Sequence, residues 1–521
     1  MHTHSEALLH SARAFFNSLL REWPYEVQGN HFVIENGKFR IPFIKFSPTG
    51  NHDYDPQFDF MGFVDSFVGL GIFRDRILAS IENLSVSLSA FDRSTVHDFL
   101  SSEKGLLLGH PFHPHPKSRD EFSDDDFLKY APETSSGFPL EWHLVRAEVI
   151  KATPEYVSEL WKMLQQDFVM PEESGWIPYP AHPWQMKALK EKGTLRNLET
   201  EGAIRFIGHT KKNWHPTSSL RTLYQKESPF MLKFSLSVRI TNSIRHLLPR
   251  EVVRGLEVKE VLSTDMGKKL KAEHPSFNVM LEPAWLGIKN TAGEVLPETI
   301  VVLRENPFQS DSENTFVLGT LFQDNEPAMK KLMAGKTSAE VQSWFRKFLD
   351  IAILPLLRAQ SDYGVLFGAH QQNLVVKLGD FLPEKAWFRD CQGTGYSPLG
   401  LTNFGGKVSG LTKDSANVLP YEYGLHLFCY YLIVNTTFGA IQSLSKVSGI
   451  EEKEFLILLR DFLVKEKNRS PEDSRLLDHL LNSPVIRQKG NFRCSFTNMN
   501  ENMTDDPLAI YNEIPNPLRS L

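Results

Sequence analysis

A chain of 521 residues is longer than one hydrophobic core usually supports, so its length predicts two or three domains. With 41% hydrophobic and 23% charged residues it has the make-up of a folded globular protein, which excludes disorder over most of its length. A formal net charge of −6 gives no general attraction to nucleic acid or to an anionic membrane, so any anion site must be local; three widely spaced cysteines exclude a disulfide framework and fit a reducing, cytoplasmic setting.

Residues 2–23 place His, Glu and Arg among Leu and Phe, and predict an amphipathic helix rather than an export signal. Strand-like pieces follow at 31–35 and 38–46, the second closed by the turn residues Ser47, Pro48, Thr49 and Gly50. Residues 110–117, HPFHPHPK, carry three histidines and three prolines in eight positions, so they cannot form a helix. Such a rigid loop can aim His113 and Lys117 at phosphate, or serve only as a connector. The acidic stretch 117–137 reads as a domain boundary or a long functional loop. Residues 156–168 repeat apolar side chains at helical spacing, whereas the prolines from Pro171 to Pro183 argue against regular structure there.

Residues 214–222 are rich in hydroxyls, and Ser219, Arg221 and Thr222 suit phosphate oxygens. Residues 233–245, KFSLSVRITNSIR, follow closely. Alternation predicts one strand with Lys233, Ser235, Ser237, Arg239 and Thr241 on a cationic face and Phe234, Leu236, Val238 and Ile240 on an apolar one. Thr241, Asn242 and Ser243 read as helix N-caps, with Arg245 in the first turn, a seat for phosphate or carboxylate; a half-exposed strand with solvated cations is the alternative.

Residues 338–363 form the clearest helical pattern, with a kink or break expected at Pro355. Two short strands, 373–378 and 386–390, follow with a connecting turn. Their order places Asn373 and Asp390 as in phosphotransfer sites where a loop Asn and a later Asp hold magnesium on a nucleotide; local hydrogen bonds and an arginine partner are the alternative. Residues 425–441 are apolar but interrupted by His426, Asn435, Thr436 and Thr437, which predicts a buried core helix and not a membrane span. Gly335, Lys336 and Thr337 lack the leading glycine of a P-loop, and no G-x-S-x-G elbow occurs.

Six segments in order, GHPFHPHPKSR (109–119), AHPWQ (181–185), PTSSLRTL (216–223), KFSLSVRITNSIR (233–245), AHQQN (369–373) and RDCQGTG (389–395), together resemble the siderophore synthetases of the IucA/IucC family that act without a peptide synthetase assembly line. The resemblance implies an α+β, hand-like fold of thumb (1–140), fingers (141–325) and palm (326–521) with kinase-like elements in the palm. It implies a homodimeric ligase that adenylates a carboxyl group, commonly of citrate or a citryl derivative, releases pyrophosphate, and joins the acyl group to an amine, polyamine or hydroxyl. ATP and Mg2+ are the implied cofactors. By position in the motifs, Ser219, Arg221, Thr222, Lys233 and Arg245 contact ATP, Gln372, Asn373 and Asp390 lie on the nucleotide and magnesium side, and Thr241, Arg245 and His370 hold the carboxylate substrate. Lys233, Arg245 and His370 are the implied catalytic residues; His113 and Lys117 lie near the phosphates. One position departs from the pattern: many members carry a glutamate two residues before the motif histidine, where this chain has Gly368, and Asp362 is a candidate substitute. A kinase-like phosphotransferase and a catalytically silent nucleotide- or citrate-binding relative are the competing readings.

Overall fold

The computed structural model describes residues 2–241, 243–499, 506, 508–519 and 521. The amphipathic N-terminal stretch forms the helix His2–Leu20, whose Phe15, Phe16 and Leu19 are buried. They pack on a four-stranded antiparallel meander (Tyr25–Gln28, His31–Ile34, Phe39–Lys45, Asp53–Tyr54) and on the helices Phe60–Phe67 and Ile72–Ala90. Phe492, from the far end of the chain, completes this cluster with its ring 5.0 Å from that of Phe15, edge to face. Glu22 then accepts the backbone N–H groups of Phe492 (2.6 Å) and Arg493 (2.8 Å), which ties the two ends of the chain together.

A six-stranded antiparallel sheet occupies the middle, in the order Ile150–Ala152, Ala284–Ile288, Val301–Glu305, Phe230–Phe234, Thr222–Tyr224, His215–Pro216. Beside it stands a three-stranded sheet, Trp176–Ala181, Glu141–Arg146, Ile204–His209. The proline-rich stretch is irregular only over residues 171–175, and from Trp176 it forms this edge strand. Pro178 and Pro180 share one parity of an edge strand, where absent N–H groups can face away from the ladder, and Pro183 opens the helix Pro183–Glu191 at a position that tolerates it. The acidic stretch likewise contains a helix, Asp124–Tyr130, with Ser123 as N-cap.

The expected single strand from Lys233 is two strands in different sheets. All five residues of Phe230–Phe234 are buried, so no cationic face meets solvent there. At Ser235, whose N–H bonds the carbonyl of Ile300 (2.9 Å), the chain leaves the sheet. Leu236–Ile240 then folds back on Ser243–Arg245 as a hairpin. Thr241 takes a left-handed φ of 56°, which a turn requires and a helix N-cap does not, so no helix starts there; Asn242 lies outside the described residues.

The last region pairs a four-stranded sheet (Phe277–Val279, Pro383–Phe388, Leu374–Leu378, Thr315–Val317) with long helices. Residues 338–363 remain helical through Pro355 because a π-turn, Leu349–Ile353, lies just before it and widens the backbone where the proline ring would otherwise clash. Thr337 and Glu340 form a capping box at the start of that helix, which accounts for the P-loop-like tripeptide. Tyr421–Ser448 is long and apolar enough to cross a membrane, but 83% of its most apolar window is buried inside the protein.

Candidate active site

A cavity of about 470 Å3 opens where these parts meet. On the six-stranded sheet, register puts Lys233 between Thr222 and Val302, with Arg304 two residues along the neighbouring strand and so on the same face. Lys233 is 1% exposed, and its Nζ donates to Glu282 Oε1 (3.1 Å) and pairs with Asp390. Arg304 reaches the same two carboxylates, at 2.5 Å and 3.4 Å. Burial works to raise the Asp390 carboxyl, yet Lys233, Arg304 and Arg221 hold it well below the usual carboxylate range.

Asp390 reaches this position from the hairpin Leu374–Leu378 and Pro383–Phe388, whose register pairs Leu374 with Phe388 and so brings Asn373 and Asp390 to one end. Its left-handed φ of 78° turns the chain sharply just past the strand. The Asn373 Nδ2 donates to the carbonyl of Gly368 (3.0 Å), which turns the amide oxygen the other way. Between them, Arg389 bonds the carbonyl of Gln372 (2.8 Å), the hydroxyl of Ser218 (3.2 Å) and the fully buried Glu103, and Glu103 also accepts the N–H of Ser218 (2.9 Å). This buried pair braces the 217–222 loop against the 370–373 loop. Within the first loop, Leu220 is left-handed (φ 67°) and Ser219 Oγ accepts the N–H of Thr222 (3.2 Å).

The hairpin that replaces the expected helix still serves the cavity. Arg245 donates to the Thr241 Oγ1 and to the carbonyl of Ile240, both at 2.9 Å, and Arg221 donates to the carbonyl of Arg245 (3.3 Å). His370 lines the same cavity. Burial pushes its imidazole down to about 4, with Arg389, Arg245 and Lys489 adding to the effect and Asp390 opposing it, so the ring is neutral at pH 7. In the irregular 110–117 loop, Lys117 is buried against Glu133 (3.0 Å) and the carbonyl of Leu106 (2.8 Å), and His113 Nε2 meets Ser495 Oγ (3.1 Å). Trp184 is a core residue, 8% exposed.

All twelve candidate residues, His113, Lys117, Ser219, Arg221, Thr222, Lys233, Thr241, Arg245, His370, Gln372, Asn373 and Asp390, line this one cavity. Among the described lining residues are ten lysines and arginines but two carboxylates, Asp324 and Asp390, a strong local reversal of the chain's net charge of −6. Gly368 also lines it; a Cβ there would stand 3.0 Å from the carbonyl oxygen of Gly393. Asp362 does not compensate for the missing glutamate: it is paired with Arg469 at 2.9 Å and lies outside the lining.

Several contributors were not legible in sequence. Glu282 is a single charge among apolar residues, Arg304 stands beside Glu305 at the end of an apolar strand, and Glu103 lies in a short helix, Phe99–Lys104, with no distinguishing pattern. A second group, a π-turn at Cys429–Thr437, docks on the 369–373 segment: Asn435 accepts from the Gln371 side chain (2.6 Å), and Thr436 donates to the carbonyl of Ala369 (2.8 Å). Among the described residues, the group of three metal-ligating side chains that lie close together is His97, Asp98 and Glu313, outside this cavity.

The sequence model described as "IucA / IucC family" matches residues 98–323, and that described as "Ferric iron reductase FhuF-like transporter" matches 342–504. The chain is 33% identical over 443 residues, 81% of its length and 74% of the relative's, to N(2)-citryl-N(6)-acetyl-N(6)-hydroxylysine synthase of Vibrio mimicus. It is 30% identical over 444 residues, 81% and 73% of the two lengths, to spermidine-citrate ligase of Bacillus anthracis. The structure of ATP-bound aerobactin synthetase IucA from Klebsiella pneumoniae superimposes with a TM-score of 0.86 at 28% identity, covering 98% of this chain and all of that one. Fold and sequence thus place the protein among the synthetases and ligases of siderophore biosynthesis. The chain belongs to the IucA / IucC family.

Proposed function

We propose that the protein is an ATP-dependent ligase that adenylates a carboxyl group of citrate or a citryl derivative, releases pyrophosphate, and passes the acyl group to an amine or hydroxyl. The observation that carries this reading is the cavity in which Lys233 and Arg304 from one sheet face, the bonded Arg245 and Thr241 pair, and the Asn373 and Asp390 end of a hairpin converge. Citrate and ATP repel, so attack of the carboxylate on the α-phosphorus needs cations against both. Lys233, Arg221 and Arg304 suit the phosphates, with Ser219 and Thr222 as hydroxyl donors and Gln372 beside them. Arg245, pre-oriented by Thr241 and the Ile240 carbonyl, suits the substrate carboxylate; neutral His370 holds it by hydrogen bonding rather than by charge. His113 and Lys117 close the phosphate end. In the second step the anhydride is already reactive, and positioning of the acceptor dominates.

The donor set fits a hard divalent cation: Asp390 stays ionised, and Asn373 keeps its amide oxygen turned from its own hydrogen bond. Mg2+ held by Asn373 and Asp390 would supply charge neutralisation for the phosphates. Incubation with ATP, Mg2+, citrate and hydroxylamine tests the reading. Citryl hydroxamate, AMP and pyrophosphate are the expected products; ADP with a phosphorylated acceptor would transfer the protein to the kinase-like class, and intact ATP with measurable ATP binding would make it a silent relative.

A further inference from the structure

Part of the cavity wall lies outside the segments proposed to hold ATP. Arg13 of His2–Leu20 and Lys446 of Phe438–Ser448 both contact Asp324, at 2.8 and 2.6 Å, and both contact Asp53, each at 3.1 Å. Four charges therefore alternate in sign around a closed ring. Arg13, Asp324 and Lys446 face the cavity, and Asp53 is not among its lining residues. His10, 3.6 Å from Asp324, adds no charge at neutral pH, because burial pushes its imidazole down to about 4. Alongside stand Asn51 and Gln442, joined through Gln442 Nε2 and the Asn51 carbonyl (2.8 Å), and the apolar Phe322. None of these residues belongs to the segments given roles with ATP or citrate above.

The ring is neutral as a whole, and each of its charges is already compensated. The other carboxylate lining the cavity among the described residues, Asp390, is also held by two cations. A polyamine entering here would bring several positive charges to a wall with no uncompensated carboxylate, next to Arg13 and Lys446. An amine with its own carboxylate does not upset the balance: its carboxylate can take up Arg13 or Lys446 while its ammonium takes up the acid so released.

We infer that this part of the wall is the acceptor subsite, and that the acceptor is an amino-acid-type amine, one bearing a carboxylate, rather than a polyamine. The inference rests on the ligase reading above. A second amine or hydroxyl of the anchored molecule, in its unprotonated form, attacks the acyl carbon of the citryl adenylate. The new C–N or C–O bond forms as the bond from that carbon to the phosphate oxygen breaks, AMP leaves with the electron pair, and the nucleophile's proton passes to water.

The test uses matched acceptors that differ only by the carboxylate: L-lysine with cadaverine, L-2,3-diaminopropanoate with ethane-1,2-diamine, and N6-acetyl-N6-hydroxylysine with its decarboxylated form, plus spermidine. The full-length protein is given ATP, Mg2+ and citrate, and the amide or ester is measured by mass spectrometry. The expected result is a preference of at least about tenfold in kcat/KM for the carboxylate-bearing member of one or more pairs, over its partner and over spermidine. Lys446→Met, at the most exposed corner of the ring (27%), should shrink that ratio several-fold. Equal or better use of the decarboxylated partners or spermidine, a ratio unmoved by Lys446→Met, or transfer to no acceptor despite hydroxamate formation would each overturn the inference. Absence of hydroxamate itself would overturn the ligase reading as well, and so is told apart.

Discussion

Lys233 and Arg245 carry comparable charge in very different settings. Lys233 is clamped by Glu282 and Asp390 deep in the cavity floor, whereas Arg245 is a partly exposed side chain aimed by Thr241. In the proposed reaction both stabilise charge that develops at phosphate and carboxylate, so Lys233→Ala and Arg245→Ala should each lower citrate-dependent pyrophosphate release by about 10²-fold or more. Near-normal rates in both variants would remove this pocket from the chemistry. Glu103 is different again. It is fully buried and compensates Arg389, so Glu103→Gln should strand a buried guanidinium and cost about 3–5 kcal/mol, read as a lowered urea midpoint. An unchanged midpoint would show that the Gln372 carbonyl and Ser218 satisfy Arg389 by themselves.

Elements differ in how far their residues announce them. The hairpin joining Asn373 to Asp390 and the helix from Ser338 were legible, because alternation, turn residues and 3.6-residue spacing are local signals. The strand from Lys233 was legible only in part: alternation identifies strand, but it cannot show that Ser235 leaves one sheet for another or that Thr241 turns back. Those choices depend on Ile300 and on partners far along the chain. The twelve positions carried by motif fall in one cavity, whereas Glu103, Glu282 and Arg304 were illegible, because their contacts exist only through tertiary pairing. Element ends also carry a pH dependence. His182 Nδ1 accepts the N–H of Trp184 at the start of Pro183–Glu191, and His52 Nδ1 accepts that of Ser47, so both rings must be unprotonated. Burial pushes each down to about 3, against 6.5 for an ordinary histidine. The unfolded chain therefore gains protons first as the pH falls. The stability these rings confer is whole above about 6.5 and is lost progressively down to about 3, by about 1.4 kcal/mol per ring per pH unit. Urea midpoints measured from pH 7.5 to 5 should fall accordingly, and His182→Asn, which keeps a capping oxygen and cannot titrate, should flatten the slope.

At the scale of the whole molecule, the contrast between a net charge of −6 and a cavity lined by ten cations means that attraction of anions is local and screenable. If ATP and citrate are the substrates, as proposed above, raising the salt from about 50 to about 300 mM should raise KM for both several-fold with little change in kcat; insensitivity to salt would mean that the cations are silenced by their carboxylate partners. The cavity wall also draws on residues from His10 to Cys494, and Arg21 pairs with Gln488 across 467 positions. Glu22 and Phe492 fasten the same two ends. During synthesis the helix His2–Leu20 must therefore wait for the segment around Gln488 and Phe492 before its final neighbours exist. Any ligand that needs the complete pocket can bind only after both of its ends have met. A ribosome-bound fragment, however well folded in its middle sheets, holds an unfinished site, so competence for ligation arrives late and nearly all at once.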